Sequence, residues 1–175
     1  MQDEETRMNN SQNMMNDDDM RLLFETVKIA RAAKANGNHP FGALLADKDG
    51  NILIKQGNEA FTQGHLYAHA ETLLLFKAVK EYSPEFLSTC SLYSSVEPCV
   101  MCTGALYWSQ VGRLVYGLSE QDLLSLTGNH SENPTFSLSS REVLLHGQKT
   151  ITVIGPTTDT QLIEAIVQDH KGFWK

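Results

Sequence analysis

The sequence predicts a three-layer α/β domain built around a partly parallel, mixed sheet of five strands. The chain has 175 residues, of which 41% are hydrophobic and 20% are charged. This composition is that of an ordinary globular protein and excludes fibrous and collagen-like classes. The length suits one domain, because most domains contain roughly 100–150 residues. After an opening hairpin, helical and strand patterns alternate, which is typical of α/β folds.

Residues 1–19 are predicted to form a disordered acidic arm. They hold six acidic residues against one arginine, and methionine is their only aliphatic residue. Such a segment cannot bury enough apolar surface to offset the entropy lost on ordering. We expect the run Asp17-Asp18-Asp19 to support the N-terminus of the following helix as an N-cap and through the helix dipole. Residues 20–175 would then form the folded domain.

The domain begins with a helix and a hairpin. Apolar residues recur at helical spacing from Met20, and the helix should end at Asn36-Gly37. Residues 41–46 have the pattern of a buried strand, and 51–58 that of the returning strand. The turn between them contains Gly50, where a positive φ is needed.

The rest of the domain alternates between helices and strands. We expect helices over 68–81, 99–109 and 158–171, and strands over 91–96, 111–117 and 150–154. The stretch 120–148 is irregular, apart from a short helix at 120–126.

Charge and composition limit the partners. The net charge is −7, but only −2 of it belongs to residues 20–175, which hold no cluster of lysine and arginine. This argues against nucleic acids as partners, since phosphate binding relies on such clusters. No stretch approaches the ~20 apolar residues of a membrane span, and the polar start is unlike a signal peptide. We expect a cytoplasmic protein with a small-molecule substrate.

Two short segments contain the residues that favour catalysis. His69-Ala70-Glu71 opens one predicted helix, and Pro98-Cys99-Val100-Met101-Cys102 opens another. The i, i+3 spacing places both sulfurs on one helix face, where the helix N-terminus stabilises thiolate. Three protein ligands with one open position are the arrangement of a catalytic zinc site. Glu71 could then exchange a proton with a zinc-activated water.

Other interpretations explain less of the pattern. A redox Cys99–Cys102 pair would leave His69 and Glu71 without a role, and a structural zinc site would need a fourth ligand at suitable spacing. Cys90, at the start of a strand, is expected to be a buried apolar residue. With three cysteines in all, a disulfide framework is not expected.

The combination H-x-E…P-C-x-x-C is the signature of zinc nucleobase deaminases. Residues 20–122 resemble the cytidine-deaminase-like superfamily, in particular its bacterial guanine deaminases, and also the tRNA adenosine deaminases. Further matching segments are Pro40-Phe41-Gly42-Ala43, Gly57-Asn58, Gly104-Ala105-Leu106-Tyr107-Trp108 and Val115-Tyr116-Gly117. The resemblance implies a three-layer α/β/α fold. Residues 127–148 follow neither family's pattern.

The resemblance also implies roles for individual residues. Zinc would bind His69, Cys99 and Cys102, and Glu71 would be the catalytic proton shuttle. The substrate would contact five residues, namely Asn58, the backbone N–H of Ala70, Phe41, Trp108 and Asp122. Ordinary core packing for Phe41 and Trp108, and a surface position for Asp122, remain open. Phe173 and Trp174 would either close over the pocket or pack against the sheet. A homodimer is expected from the same resemblance.

The function predicted from the sequence is zinc-dependent hydrolytic deamination of a free nucleobase, with guanine the first candidate. Alternatives are cytosine, a nucleoside, a pterin or a triazine as substrate, or adenosine in tRNA. A zinc protein that only binds or assembles is the alternative outside enzymes, and Glu71 argues against it, since a binding module has no use for a proton shuttle.

Overall fold

The structure is a computed structural model that describes residues 14–128 and 130–174. Its strands are β1 (Gly42–Ala46), β2 (Ile52–Gly57), β3 (Ser91–Val96), β4 (Arg113–Leu118) and β5 (Thr152–Ile154). Its helices are α1 (Asp17–Ala35), α2 (Ala70–Glu81), α3 (Pro84–Leu87), α4 (Val100–Ser109), α5 (Glu120–Thr127), α6 (Ser140–Leu145) and α7 (Thr160–His170).

The five strands form one mixed sheet in the order β2-β1-β3-β4-β5. β1 is antiparallel to both β2 and β3, whereas β3, β4 and β5 are parallel. This confirms the predicted five-stranded mixed sheet. Because β3 and β4 are parallel, their carboxyl ends lie at one edge of the sheet, together with the start of the antiparallel β1. Ligands of open α/β sheets bind at such an edge.

Helices cover both faces of the sheet. On one face, α2 and α4 pack apolar side chains such as Leu74 and Leu106 against Leu92 and Leu114 of the strands. On the other face, α1 and α7 pack against a second set of strand residues, which includes Val115. The alternation along each strand supplies the two cores. The three-layer arrangement agrees with the expected fold class.

Helix α1 begins earlier than the sequence suggested. Asn16 is its N-cap: its side chain accepts a hydrogen bond from the backbone of Asp19, and the Asp19 carboxylate accepts one from the backbone of Asn16. Asp17 to Asp19 therefore form the first helical turn instead of ending an arm at residue 19. The remaining part of the predicted arm, residues 1–13, lies outside the described residues.

The Asp19 carboxylate is buried in a cluster that includes Tyr93 and Arg113. Asp19 Oδ1 accepts hydrogen bonds from the Tyr93 hydroxyl at 2.7 Å and from Arg113 Nη1 at 2.8 Å. Arg113 Nη2 donates to Asp19 Oδ2 at 2.7 Å. Burial opposes ionisation of Asp19, but the bonds from Arg113, Tyr93 and Asn16 outweigh it and lower the pKa of the carboxyl. The cluster joins the start of α1 to β3 and β4.

Two short helices were not expected from the sequence. α3 follows the N-cap Ser83, and α6 follows the N-cap Ser139 within the stretch expected to be irregular. The short helix expected at 120–126 is present as α5. No helix within 14–128 and 130–174 is long and apolar enough to cross a membrane.

Candidate active site

Three side chains with metal-ligating atoms meet where α2 and α4 begin. His69 is the N-cap of α2, Cys99 is the N-cap of α4, and Cys102 lies in the first turn of α4. Their ligating atoms all lie within 4.8 Å of one another. Helices α2 and α4 pack side by side through Ala70, Leu74 and Leu106. The two N-termini therefore deliver all three groups to one point.

The distances between these atoms fit a zinc ion. His69 Nδ1 is 3.6 Å from Cys99 Sγ and 3.5 Å from Cys102 Sγ. Around a tetrahedral zinc with Zn–N of about 2.0–2.1 Å and Zn–S of about 2.3 Å, a nitrogen and a sulfur ligand lie about 3.6 Å apart. The residues present therefore match a His/Cys/Cys zinc site, in which Nδ1 is the imidazole ligand.

The electrostatics of this group favour thiolate. A hydrogen bond with Cys102 lowers the pKa of Cys99 to about 4, against the opposing effect of burial, and His69 adds to the lowering. Burial opposes the charged form of His69, but Cys99 and the charge of Glu71 outweigh it and raise its pKa. The lowered pKa of Cys99 favours its thiolate form, which is the form that binds metal ions.

Glu71 lies in the first turn of α2, directly beside the ligands. Its carboxylate Oε1 accepts a hydrogen bond from the Ser94 hydroxyl at 2.7 Å, and the Cys102 thiol lies 3.6 Å from Oε2. The residue is only 5% exposed, and burial raises the pKa of its carboxyl. Ser94 projects from β3 and fixes one carboxylate oxygen, so the other oxygen is on the side of the metal ligands.

A cavity of about 210 Å³ opens next to these groups. Its carboxylates are Glu71, Glu97, Glu120 and Glu132, and its ring side chains are His39, Phe41, His69 and Phe136. The other lining residues are Leu66, Cys99, Asn133, Pro134 and Thr135. No lysine or arginine occurs among the described residues that line it. The cavity lies at the edge of the sheet where β3 and β4 end and β1 begins.

Glu97 and Glu120 are site residues that the sequence reasoning missed. Glu97 Oε1 accepts hydrogen bonds from the backbone N–H of Ser140 at 2.8 Å and from its hydroxyl at 2.9 Å. Glu97 Oε2 accepts one from the backbone N–H of Glu120 at 3.1 Å. The carboxylate therefore holds the starts of α5 and α6 against the segment that bears Cys99. An acidic residue directly before Pro98, and another just after β4, were the available signals.

Two ring side chains that line the cavity, His39 and Phe41, pack against rings near the C-terminus. His39 packs at 4.9 Å from Trp174 and at 6.0 Å from Phe173, measured between ring centroids. Phe41 lies 5.1 Å from His170, whose pKa burial lowers to about 4. The C-terminal aromatics Phe173 and Trp174 thus contact His39, a residue that lines the cavity, but are not themselves among its lining residues.

The predicted substrate contacts are only partly brought together. Phe41 lines the cavity, and Ala70 is fully buried at the first position of α2. Asn58 is 2% exposed, and its Oδ1 accepts a hydrogen bond from the backbone N–H of Ala60. Asn58 is not among the residues that line this cavity.

Trp108 and Asp122 are not among the residues that line the cavity, and their roles as substrate contacts stay predictions. Trp108 is 76% exposed. It follows the buried Leu106 by two residues, and about 200° of helical rotation turns it to the outer face of α4. Asp122 is exposed on α5, where its backbone N–H and its carboxylate both bond the N-cap hydroxyl of Ser119. The carboxylate after β4 that enters the cavity is Glu120.

Comparison with known proteins gives a consistent picture. Residues 16–118 match the family described as the cytidine and deoxycytidylate deaminase zinc-binding region. A protein of Schizosaccharomyces pombe (strain 972 / ATCC 24843) named "Probable cytosine deaminase" is 36% identical over 160 residues, covering 91% of this chain and 94% of its own. The guanine deaminase of Bacillus subtilis (strain 168) is 40% identical over 102 residues, covering 58% of this chain and 65% of its own.

Similarity to solved structures covers most of the fold. A guanine deaminase from Nitrosomonas europaea superposes with a TM-score of 0.67 at 26% sequence identity. The match covers 86% of this chain and 83% of that one. It therefore extends beyond the residues matched by the family and includes most of the C-terminal half.

Proposed function

Since the chain belongs to the family of cytidine and deoxycytidylate deaminases with a zinc-binding region, we propose that it hydrolytically deaminates a free nucleobase, with guanine the first candidate. One observation supports this above all: His69, Cys99 and Cys102 converge at zinc-ligand distances beside the buried Glu71, at the wall of a cavity. A binding module would not need a carboxylate at that position.

The proposed chemistry assigns a distinct task to each group. His69, Cys99 and Cys102 hold the zinc ion, which when bound supplies Lewis-acid activation of a water molecule. Glu71 takes a proton from the attacking water, delivers it to a ring nitrogen of the base, and later protonates the departing amine. Ser94 holds the carboxylate of Glu71 in place. Water is consumed, the C–N bond to the exocyclic amine breaks, and ammonia and the keto base are released.

The lining of the cavity supports a small uncharged base as substrate. Phosphate groups are commonly bound by arginine or lysine, and the described lining residues include neither. The lining therefore favours an uncharged base over a nucleotide. Phe41, His39 and Phe136 offer ring faces to a planar heterocycle, and the carboxylates offer acceptors for its N–H groups.

Guanine is placed first for two reasons. The carboxylates in the cavity suit a base rich in N–H donors, and the structural similarity to a guanine deaminase covers most of the chain. The homodimer and the cytoplasmic location expected from the sequence remain predictions, and light scattering of the purified protein would test the dimer.

Cytosine is the second candidate, because the relative named for cytosine deamination matches nearly the whole chain. Adenosine in tRNA ranks below both. Residues 20–175 carry a net charge of only −2 without a basic cluster, whereas binding of an RNA backbone relies on positive charge.

The test measures ammonia release from guanine, cytosine, adenine, their nucleosides and a pterin, using the zinc-loaded protein. Glu71→Ala should lower kcat by about 10²–10⁴-fold while zinc content stays near one ion per chain. Glu81→Gln is the matched control, because Glu81 is an exposed acid on the same helix. An active Glu71→Ala variant, or a wild-type protein that releases ammonia from none of these bases, would overturn the proposal.

A further inference from the structure

One side-chain contact at the metal ligands has no role in the proposed reaction. Thr72 directly follows Glu71 in α2, and its hydroxyl oxygen Oγ1 lies 3.1 Å from the Sγ atom of Cys102 in α4. Thr72 is not among the residues that line the cavity. Its hydroxyl therefore acts on a metal ligand and not on a substrate.

The hydroxyl of Thr72 bonds differently from other hydroxyls in the helices of this protein. Thr26 and Ser125 each donate to a backbone carbonyl of their own helix, as serine and threonine inside helices often do. Thr72 instead reaches the neighbouring helix. It thus connects α2 to the first turn of α4 through the sulfur of Cys102.

A bound metal ion fixes the direction of this hydrogen bond. In the metal-free chain, either the hydroxyl or the thiol can be the donor. A cysteine binds zinc as a thiolate, which has no proton to donate. With the metal in place, the hydroxyl of Thr72 therefore donates and Cys102 Sγ accepts.

The other polar contacts described at this sulfur do not supply a donor. They are His69 Nδ1 at 3.5 Å and Glu71 Oε2 at 3.6 Å. His69 Nδ1 is a ligand in the proposed zinc site, and the carboxylate of Glu71 is an acceptor. The second ligand sulfur, that of Cys99, receives its hydrogen bond from the backbone of Cys102. Each of the two sulfurs thus has a donor of its own, and for Cys102 it is Thr72.

The hydroxyl lies where negative charge accumulates. The Cys102 thiolate and the ionised carboxylate of Glu71 lie 3.6 Å apart, and like charges at such a distance repel strongly in a buried site. A hydrogen bond donated to a thiolate draws electron density from the sulfur. The ligand then neutralises less of the positive charge that activates water.

On the basis of the proposed function, we propose that Thr72 is a positioning residue whose hydroxyl donates to Cys102 Sγ, orients this sulfur toward the metal and lowers its negative charge. Thr72 acts through Cys102 and touches neither the substrate nor the reacting atoms. Loss of the hydroxyl should therefore change the metal site and kcat, and should leave KM unchanged.

Cobalt(II) is the probe for this hydrogen bond, because zinc has a filled d shell and gives no comparable spectrum. Thr72→Val keeps the branched Cβ and removes the hydroxyl. It should shift the sulfur-to-cobalt charge-transfer band to longer wavelength, since a sulfur without the hydrogen bond gives up an electron more easily. Thr72→Ser keeps a hydroxyl and should restore the wild-type band. Thr26→Val is the matched control, because Thr26 lies in α1 and its hydroxyl bonds the carbonyl of Leu23.

Zinc affinity and steady-state kinetics complete the test. In competition with a chelator, Thr72→Val should bind zinc about tenfold more weakly, since groups that support a metal ligand contribute about 10–100-fold. At saturating zinc, kcat for the base that the wild type deaminates best should fall by about tenfold, with KM within about twofold. Thr72→Ser should recover most of both losses, and the unfolding temperature of the metal-free protein should be unchanged.

The outcomes separate this inference from the proposed function. A charge-transfer band that stays in place in Thr72→Val, or that moves equally in Thr26→Val, would overturn the role of Thr72 while deamination stands. A rise in KM without a fall in kcat would overturn it as well. Absence of ammonia from every base would overturn the proposed function, whereas a shifted band would still support the hydrogen bond from Thr72 to Cys102.

Discussion

Two buried polar clusters lie on opposite faces of the same sheet, and they differ in how completely they are satisfied. In the Asp19 cluster, the two carboxylate oxygens accept bonds from Arg113, Tyr93 and the backbone of Asn16. In the active-site cluster, Cys99, His69 and four carboxylates line a cavity, and the lining residues that the structure describes include no lysine or arginine. A cluster that only stabilises the fold contains its own partners, whereas one that binds ligands lacks them.

The electrostatic consequences of this difference are opposite in sign. The pKa of Asp19 is lowered because its hydrogen bonds outweigh its burial. The pKa values of Glu71 and Glu120 are raised because burial dominates. The first carboxyl therefore favours the charged state in the folded protein, and the other two resist it until a cation or an N–H donor is bound.

The largest effect is expected when a metal ligand is removed. Cys102→Ala should weaken zinc binding by more than about a hundredfold, since even the loss of a group that merely supports a ligand costs about 10–100-fold. Deaminase activity should fall to background, and the unfolding temperature should drop because the metal joins α2 to α4. Metal analysis and thermal unfolding check this.

Cys90→Ala is the matched control, because Cys90 is buried away from the site, and it should keep its zinc. A Cys102→Ala protein with full zinc content would contradict the ligand assignment.

Removing the carboxylate of the Asp19 cluster should lower the stability of the fold and leave deaminase activity unchanged. Asp19→Asn leaves Arg113 without its buried partner and should lower the free energy of unfolding by about 3–5 kcal/mol, with kcat/KM per folded molecule unchanged. Asp18→Asn is the control, because Asp18 is exposed and should change stability by at most about 0.5 kcal/mol. Urea unfolding of both variants gives the two values, and a small loss for Asp19→Asn would mean that the cluster contributes little.

The contribution of Asp19 should depend on pH in a defined direction. Because the pKa of its carboxyl is lower in the folded protein than the usual 3.8, the stabilisation is fully present above pH 4 or so and is lost as the pH falls through the lowered folded-state value. The gap in unfolding free energy between wild type and Asp19→Asn should therefore be constant near neutral pH and shrink below about pH 4. If this difference in unfolding free energy grows on acidification, the pKa of Asp19 is not lowered in the folded protein.

A smaller effect is expected at the contact between Glu97 and α6. Ser140→Ala removes the hydroxyl bond to Glu97 Oε1 and keeps the backbone bond. The free energy of unfolding should fall by about 1 kcal/mol, and KM should rise more than kcat falls, because the loop that precedes α6 lines the cavity. Ser125→Ala on α5, whose hydroxyl bonds only a backbone carbonyl of its own helix, should change neither. If KM changes equally in Ser140→Ala and Ser125→Ala, the contact between Ser140 and Glu97 does not shape the substrate site.

The smallest effect is expected for Trp108. Trp108→Leu should leave kcat/KM within about twofold, because the side chain lies on the outer face of α4. Phe41→Leu is the matched comparison, and it should raise KM, because Phe41 lines the cavity. If Trp108→Leu raises KM more than Phe41→Leu does in steady-state kinetics, the cavity lined by Phe41 is not the substrate site.

The sequence was sufficient for the features that depend on local spacing. Each of two helix starts contains a closely spaced pair of site residues: His69 with Glu71, and Cys99 with Cys102. The four side chains therefore meet as soon as the two helices pack together. The alternating elements likewise predicted the mixed sheet, and the family comparison confirmed the resemblance.

Features that depend on long-range packing were out of reach. In the sequence, Asp19 belongs to an acidic run that looks solvent-exposed. In the structure it is bonded by Tyr93 and Arg113, which are 74 and 94 residues away along the chain. The choice between Glu120 and Asp122 depends on which face of α5 meets the cavity, and a helix of eight residues carries too little pattern to decide it. Helix α6 contains only six residues, too few for a recognisable period.

Strand β3 links the two clusters through adjacent residues. Tyr93 bonds Asp19 on one face of the sheet, and Ser94 bonds Glu71 on the other. A shift of β3 by one residue against its neighbours would turn each side chain to the wrong face and break both contacts at once. Misregistered pairings of this central strand therefore lose two contacts, so a stably folded chain also holds Ser94 against Glu71, the carboxylate proposed to move the proton.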